Sequence, residues 1–297
     1  MQYINKINGA VFFVDILGIG ALTQNQISLE DEDFKDWLDQ YDLDYNNQNL
    51  SASILGKFRY LLNKLNDKLE SVTIAQLSDC AFIWSENISE VVIAANNFMT
   101  EAVLSGILCR GGLSFGEIIE TTQNYKLGRF IVGEAVTRAV KLEGIAKSSR
   151  ILIDQEFPHE FWKQNKSLCE KLQPLFVPFV NPLDFITYDE FKWYLVPDLD
   201  ETIADLRLIN ESCKIDLTKK RLRLASLVRL SPMYFWNTRS SQGLVQLKAT
   251  INFMSESGLL EIKHSFGWTD VASKRSFKII DNVKKLIETD KGYRKVK

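Results

Sequence analysis

The chain has 297 residues, of which 45% are hydrophobic and 25% charged, values that are typical of a globular protein and exclude a wholly disordered one. Its 36 basic and 38 acidic side chains leave a net charge of −2, which excludes the basic footprint of a general nucleic-acid-binding protein. The sequence contains no apolar run long enough for a transmembrane helix and no signal-peptide pattern at its N-terminus. We therefore expect a cytoplasmic protein that binds neither membranes nor nucleic acid.

The cysteines and histidines disfavour several classes of enzyme. The four cysteines show no CxxC spacing and are expected to be reduced thiols. The two histidines, His159 and His264, lie in no HExxH motif. Zinc enzymes and histidine-dependent hydrolases are therefore disfavoured.

The first predicted elements are a strand, a turn, an insertion and a helix. Residues 9–17, GAVFFVDIL, form an apolar run rich in β-formers, and Gly18 then turns the chain. The stretch 28–49 is predicted to be a surface insertion because it is strongly acidic. Between Glu30 and Asp44 it contains eight acidic residues and one lysine. Residues 51–70 carry apolar side chains three and four positions apart, which predicts a helix.

Alternating strand and helix patterns continue as far as residue 154. Two strand-like runs, VTIAQL and CAFIW, are separated by Ser78-Asp79 and predict a hairpin. The segments that follow are a helix at 89–104, the strand ILCRGGLSFGEII, a helix at 133–147 and the strand RILID. This order predicts an α/β fold in which helices pack on a mixed sheet.

The pattern is weaker beyond Asp154. FKWYLVPDL resembles a strand, whereas QLKATINFMSESG and FKIIDNVKKLIETD are predicted to be helices. The basic residues between Lys219 and Arg223 are interpreted as a solvated helix face rather than a nucleic-acid site. We divide the chain into a domain of residues 1–154, which carries the acidic insertion, and a C-terminal α/β extension of residues 155–297 packed on it.

Two aspartates stand next to apolar strands. Asp15 ends the first strand, and Asp79 lies in the short turn of the hairpin. Each alone is compatible with an ordinary turn or a helix cap. If the hairpin lies beside the first strand, both carboxylates converge at one end of the sheet, where they could bind Mg²⁺ or Mn²⁺.

The turn after Asp15 is a candidate phosphate-binding site. Backbone N–H groups at Gly18 and Ile19 could hold phosphate oxygens where the turn opens toward a helix. The turn matches neither a Rossmann fingerprint nor a Walker loop. Taken alone, its glycines carry little information.

Three more polar residues are candidates for contacts with a ligand. Thr137 and Lys141 share one face of a predicted helix and could face a triphosphate; the alternative is a solvated face on which Glu134 pairs with Arg138. Arg110 lies inside a strand-like run. It could reach solvent, cap a carboxylate, or contact a base edge or a phosphate.

Together these segments resemble the class III nucleotidyl cyclases. Four motifs occur in the family's order, and they cover about residues 9–154. They are F-x-D-[IL]-x-G at residues 13–18, a turn with the second metal-binding Asp at 78–81, R-x-G-[IL]-x-x-G-E at 110–117, and G-x-x-V-N-x-A-x-[RK]-L-E at 133–143. A set of four ordered motifs is far more specific than any one of them.

The departures from the family's motifs are informative. Thr137 replaces an Asn that stabilises the transition state, and Lys141 replaces the usual Arg. Ala75 falls at a purine-reading position, and Phe130 lies near the second one. Loss of the purine readers with retention of the metal carboxylates resembles the pyrimidine cyclases of bacterial Pycsar antiphage systems, which make cyclic UMP or cyclic CMP.

The resemblance implies a fold, a metal site and an assembly. It implies a ferredoxin-like α/β sheet in a catalytic domain of residues 1–154, with two active sites formed between the head-to-tail subunits of a homodimer. Two divalent ions, Mn²⁺ or Mg²⁺, would be held by Asp15, the Ile16 carbonyl and Asp79. Lys141 and Thr137 of the partner subunit would offset the charge that develops on the α-phosphate.

The resemblance also implies a substrate. Ala75 and Phe130 offer a purine no hydrogen bonds, whereas Phe58 could stack a smaller base and Arg110 could donate to the carbonyl groups of uracil. We therefore expect UTP to be converted to cyclic UMP and pyrophosphate as a signal in antiphage defence. A cytidylate cyclase and a non-catalytic nucleotide-binding dimerisation module remain the alternatives. Thr137 and Lys141, which depart from the family's motif, favour the non-catalytic module, whereas the retained metal carboxylates Asp15 and Asp79 argue against it.

Overall fold

The computed structural model describes residues 4–27, 29–121, 129–181, 185–230 and 250. The helix predicted at 277–290, and all of the helix predicted at 246–258 except Thr250, lie outside these residues. Among the residues described, every helix is too short or too polar to cross a bilayer.

Strands and helices alternate along the chain. The strands are β1 (Ile4–Ile16), β2 (Thr73–Leu77), β3 (Cys80–Ser85), β4 (Cys109–Thr121), β5 (Ile131–Val132), β6 (Ile151–Ile153), β7 (Phe176–Val180) and β8 (Thr187–Phe191). The α-helices are α1 (Ile19–Thr23), α2 (Asp31–Leu38), α3 (Asn47–Asn66), α4 (Ile88–Leu104), α5 (Glu134–Ile145), α6 (Phe157–Gln164), α7 (Lys166–Leu172) and α8 (Glu211–Leu230). Short 3₁₀ turns lie at Asp39–Tyr41, Gln173–Leu175 and Trp193–Leu195.

The strands form one mixed sheet. Its order is β2-β3-β1-β4-β6-β8-β7, with β5 paired to β4 outside this path. The first four strands, with α3 and α4 between them, have the ferredoxin-like β-α-β-β-α-β connection. Strand β6 pairs parallel to β4, whereas the other neighbours are antiparallel. The predicted α/β fold with helices packed on a mixed sheet is confirmed.

Helices cover both faces of the sheet. Side chains alternate along β1, so Phe12 and Val14 join the main core with residues of α3 and α4. Phe13 faces the other way and packs against Ala135 and Ala139 of α5. The apolar run that predicted β1 is therefore explained by burial on both faces.

Helix α5 packs unusually close to β4. A Cβ atom built on Gly112 would lie 2.0 Å from the backbone oxygen of Ala139 and 2.9 Å from the backbone nitrogen of Glu143. Any side chain at this position would push α5 away from the sheet. The glycine of the R-x-G motif is thus required by the distance between the helix and the strand.

We expect Gly112→Ala to lower the free energy of unfolding by about 3 kcal/mol, because the methyl group overlaps backbone atoms that cannot turn aside. Gly56→Ala is the matched control. Gly56 is exposed on α3 with no atom within 4 Å of its Cβ position, so this change should raise stability by about 1 kcal/mol. Urea unfolding measures both, and equal effects of the two substitutions would contradict the packing argument.

Several predicted boundaries differ from the structure. The predicted strand FKWYLVPDL is wrong beyond Phe191, because Trp193–Leu195 forms a 3₁₀ turn. All three of its side chains are buried, whereas a strand would direct alternate side chains to opposite faces. Helix α3 begins at Asn47, inside the predicted insertion, because the Asn46 side chain caps it by accepting a hydrogen bond from the Asn49 N–H.

The acidic insertion is anchored rather than loosely attached. It contains α2, whose side chains Phe34, Trp37 and Leu38 are buried in the main core. Its acidic residues lie mostly on the exposed side of the helix. One apolar stripe thus holds a strongly charged segment against the domain.

Residues beyond Asp154 continue the same sheet. Strand β8 pairs with β6, and the buried Glu190 carboxylate accepts a hydrogen bond of 2.8 Å from Arg150 Nη1 and lies 3.6 Å from Lys192 Nζ. The Arg150 guanidinium stacks over the Phe179 ring at 4.3 Å. A buried charge cluster therefore joins the C-terminal extension to β6.

Candidate active site

The first strand and the hairpin bring Asp15 and Asp79 to one end of the sheet. Strand β1 pairs antiparallel with β3, so Asp15 lies opposite Cys80, the residue next to Asp79. The Ile16 N–H donates a hydrogen bond of 3.1 Å to the backbone oxygen of Asp79. The hairpin therefore lies beside β1, which is the condition under which the sequence predicts that the two aspartates converge.

A third carboxylate and an arginine complete this cluster. Asp15 lies opposite Arg110 on β4, and α5 places the nearly buried Glu143 beside them. Arg110 Nε forms an ion pair with Glu143 Oε1, its Nη1 donates to the Ala146 carbonyl at 3.3 Å, and its Nη2 lies 3.8 Å from Asp15 Oδ2. The carboxylates of Glu143 and Asp15 thus lie beside one guanidinium, and the charge of Asp79 acts on Asp15.

Glu143 is a residue of this cluster that the sequence did not identify. A signal was available, because Ala135, Ala139 and Glu143 are spaced four residues apart and all belong to the buried side of α5. A charged residue on such a stripe must find a partner. That partner is Arg110, which no local pattern identifies.

The cluster carries surplus negative charge. Burial raises the pKa of Asp15 most, and the charges of Glu143 and Asp79 raise it further; Arg110 lowers it, yet the pKa reaches about 7. Burial and the same carboxylates raise the pKa of the Cys80 thiol to about 11, so this thiol stays neutral at pH 7. A divalent cation would relieve the repulsion between the aspartates.

The donor set fits a hard divalent cation. In the described part of the chain, no group of three or more His, Cys, Asp or Glu side chains is arranged to hold a metal. Mg²⁺, however, usually takes one or two carboxylates and completes its shell with water and substrate phosphates. Asp15 and Asp79, with the neighbouring carbonyl of Ile16, are such a set.

We expect metal affinity to depend on pH. Near pH 7 the metal-free protein begins to hold a proton on Asp15, and a cation must displace that proton to bind. The Mn²⁺ association constant should therefore fall about tenfold for each pH unit below 7 and level off above it. Mn²⁺ electron paramagnetic resonance between pH 5.5 and 8 measures this, and a constant affinity over the range would contradict it.

The raised pKa of Asp15 also makes the stability of the metal-free fold depend on pH, but in the opposite direction to the metal affinity. A carboxyl whose pKa is raised in the folded state keeps a proton that the unfolded chain has already released. Between the ordinary pKa of Asp, near 3.9, and the folded value of about 7, Asp15 therefore destabilises the metal-free fold as the pH rises. Bound metal should remove this loss.

Thr137 and Lys141 lie on the exposed face of α5. Thr137 Oγ1 donates to the Gly133 carbonyl at 3.1 Å, and Lys141 forms no ion pair with any residue that the structure describes. The predicted pair of Glu134 with Arg138 is present on this helix. The structure thus leaves Thr137 and Lys141 at the surface and does not bring them onto the aspartates of the same chain.

The glycine turn lies directly after the metal-binding end of β1. Gly18 has φ +89° and caps α1, a conformation that favours glycine. The first N–H bonded within the helix is that of Leu22, which donates to the Gly18 carbonyl at 3.1 Å. The N–H of Ile19 is therefore one of the backbone donors at the start of a helix that have no acceptor within the helix. The Ile19 side chain is buried and anchors the turn.

Two predicted base contacts are not supported. Phe58 is fully buried and packs edge to face on Phe98, with ring centroids 5.3 Å apart, so the prediction that it stacks a base is wrong. It belongs to the apolar stripe of α3, which faces the core. Arg110 caps carboxylates, which was one of the alternatives, and its guanidinium is engaged by Glu143 rather than directed to a base.

The two positions that match purine readers carry no polar side chain. Ala75 lies opposite Phe82 and packs with the cluster on the α5 face of the sheet. Phe130 is 51% exposed just before β5, where its N–H donates to Thr121 Oγ1 at 3.4 Å. Neither side chain can form a hydrogen bond to a base.

Comparison with known proteins finds similarity only among solved structures. No protein-family model matches the chain, and no curated protein matches it. Similar solved structures include the adenylyl cyclase CyaB from P. aeruginosa (16% identity, 68% of this chain and 99% of that one, TM-score 0.41) and a bacterial light-regulated adenylyl cyclase (14%, 65% and 53%, TM-score 0.43). The dimeric guanylyl cyclase domain of RhoGC from Blastocladiella emersonii is another (15%, 64% and 97%, TM-score 0.40). Identities and TM-scores this low carry no information about activity.

Proposed function

We propose that this chain is a pyrimidine nucleotide cyclase that converts UTP to 3′,5′-cyclic UMP and pyrophosphate. The observation that supports this most is the juxtaposition of Asp15 and Asp79 beside a glycine turn, with surplus negative charge that a divalent cation would offset. By the resemblance, Asp15 and Asp79 would correspond to the family's metal-binding positions. A role as a signal generator in antiphage defence is proposed on the resemblance alone.

The site residues would position the substrate rather than react with it. Asp15, the Ile16 carbonyl and Asp79 would hold two divalent ions, Mn²⁺ or Mg²⁺. When bound, such ions lower the pKa of the ribose 3′-hydroxyl and neutralise the triphosphate. Backbone N–H groups at Gly18 and Ile19 would donate to phosphate oxygens.

The reaction is a single displacement. The ribose 3′-oxygen attacks the α-phosphorus and loses its proton, the new phosphodiester bond closes the ring, and pyrophosphate leaves. Positioning and charge stabilisation account for most of the rate in such transfers. No covalent intermediate with the protein is required.

We further propose that the active chain is a homodimer with shared sites. Lys141 is exposed and lacks an ion-pair partner among the described residues, and Thr137 is exposed one helical turn before it. On one chain both point away from the aspartates. In a head-to-tail dimer they would offset the charge that builds on the α-phosphate of the substrate at the partner's metal site.

The pyrimidine preference rests on Ala75 and Phe130. A purine whose polar edge groups are buried without partners loses about 1–3 kcal/mol for each group. The engagement of Arg110 by Glu143 removes the earlier reason for preferring uracil to cytosine. UTP stays the proposed substrate and CTP the alternative, and the product assay decides between them.

Competition among the four nucleoside triphosphates tests the proposal. Purified protein is incubated with Mn²⁺ and equimolar ATP, GTP, CTP and UTP, and mass spectrometry identifies the cyclic products. We expect cyclic UMP, with cyclic CMP second, to exceed the purine products at least about tenfold. Dominant cyclic AMP or cyclic GMP would overturn the pyrimidine assignment, and no cyclic product at all would favour the non-catalytic module.

A variant sharpens this experiment. Ala75→Lys places a donor at the position where the family reads a purine, so the share of purine products should rise. Ala52→Lys, at an exposed position on α3, is the matched control and should leave the product ratio unchanged.

A further inference from the structure

Arg110 lies between two carboxylates that hold it unequally. Its Nε contacts Glu143 Oε1, and both atoms are shielded from solvent. Its Nη1 donates to the Ala146 carbonyl at 3.3 Å, whereas its Nη2 lies 3.8 Å from Asp15 Oδ2, beyond hydrogen-bonding distance. The guanidinium is therefore anchored on the C-terminal end of α5 and not on the aspartate.

The fold sets this arrangement. Arg110 and Gly112 are two residues apart on β4 and lie on the same face of the sheet. Since Gly112 lacks a side chain, the backbone of α5 approaches β4 at Glu143. Asp15 lies directly opposite Arg110 on the neighbouring strand, so both carboxylates are within reach of one side chain.

Arg110 competes with a cation for the same oxygens. A guanidinium can form two parallel charge-assisted hydrogen bonds with one carboxylate, which would occupy both oxygens of Asp15. The side chain of Arg110 is 19% exposed and that of Glu143 9%, so their attraction is only weakly screened by solvent. Whichever carboxylate attracts Arg110 more strongly determines whether Asp15 is available.

We propose that Glu143 is a positioning residue that holds Arg110 away from Asp15 and thereby leaves Asp15 free to bind a divalent cation. The inference rests on the metal site of the proposed function and adds a residue to it. Glu143 does not touch the metal. It acts through Arg110.

Direct Mn²⁺ binding to the nucleotide-free full-length protein tests the inference. In Glu143→Gln, Arg110 loses its charged partner and is expected to close on Asp15, which should weaken Mn²⁺ binding about tenfold as measured by electron paramagnetic resonance. The double variant Glu143→Gln/Arg110→Gln removes the competitor as well, and its Mn²⁺ affinity should return to that of the unaltered protein or exceed it. Glu134→Gln is the matched control, because Glu134 is an exposed, arginine-paired glutamate on the same helix, and it should leave the affinity unchanged.

Each outcome decides between roles. A double variant that binds Mn²⁺ as weakly as the single one would make Glu143 a metal ligand and overturn the inference. A Glu143→Gln variant that has a lower melting temperature but an unchanged Mn²⁺ affinity would show that Glu143 has only a structural role, and this would also overturn the inference. An unaltered protein that binds no Mn²⁺ would overturn the inference together with the metal site. The expected order of affinities without any cyclic product would reject the cyclase assignment and retain the inference.

Discussion

Asp79→Asn is expected to lower the rate of cyclic nucleotide formation by about 10³-fold. The change removes one of the two negative charges that would hold the metal while preserving the volume of the side chain. The fold should persist, because the contact that joins the hairpin to β1 uses the backbone oxygen of Asp79 and not its carboxylate. Product formation measured by mass spectrometry, with circular dichroism as the test of folding, gives the answer.

The matched control is Asp67→Asn, the same substitution at an exposed position after α3, which should keep full activity. Full activity in a folded Asp79→Asn protein would reject the metal assignment. Mixing Asp79→Asn with Lys141→Ala extends the test to the shared site, because a mixed dimer contains one site with both groups intact. If subunits exchange and no activity returns, the two groups do not act across an interface.

Glu190→Gln is expected to lower the free energy of unfolding by about 3–5 kcal/mol. The Glu190 side chain is 1% exposed, and its carboxylate is the partner of both Arg150 and Lys192, whose side chains are also buried. Without this charge, two cations remain in the interior with too little compensation. Because Glu190 lies on β8 and Arg150 precedes β6, the loss should loosen the C-terminal extension first.

Chemical unfolding followed by tryptophan fluorescence measures this loss. Glu160→Gln is the control, since Glu160 pairs with Lys163 on an outer helical turn and such a pair contributes at most about 1 kcal/mol. A change below about 1 kcal/mol for Glu190→Gln would show that the buried cluster is not needed to hold the extension.

Local patterns predicted most of the first half of the fold. The apolar run of β1, the hairpin with Asp79 in its turn and the apolar stripe of α3 could all be identified, because the periods of strands and helices are properties of neighbouring residues. Asp15 stood out for the same reason, since a carboxylate at the end of a buried strand conflicts with its surroundings. The α/β class follows from these patterns, whereas the convergence of the two aspartates also requires the pairing of β1 with β3.

Roles that depend on distant partners could not be read from the sequence. Phe58 and Phe130 are both aromatic, yet one is in the core and the other at the surface. The partner of Arg110 depends on the register of β1 with β4 and on the close approach of α5 over Gly112. These are contacts between segments far apart in the chain. Only the packing of those segments shows that Arg110 contacts a carboxylate and not a base.

The C-terminal half shows the same division. Its weak periodicity hid β8 and the edge strand β7, which are short and only partly buried. Consecutive burial at Trp193–Leu195 resembles a strand in sequence, but these side chains fill the space beside α4 and α8. Short-range periodicity in the sequence thus determined where strands and helices form and which charged residues lie in apolar segments. The tertiary structure decided which charged residues pair with each other, because electrostatic partners are selected by distance in space and not by distance along the chain.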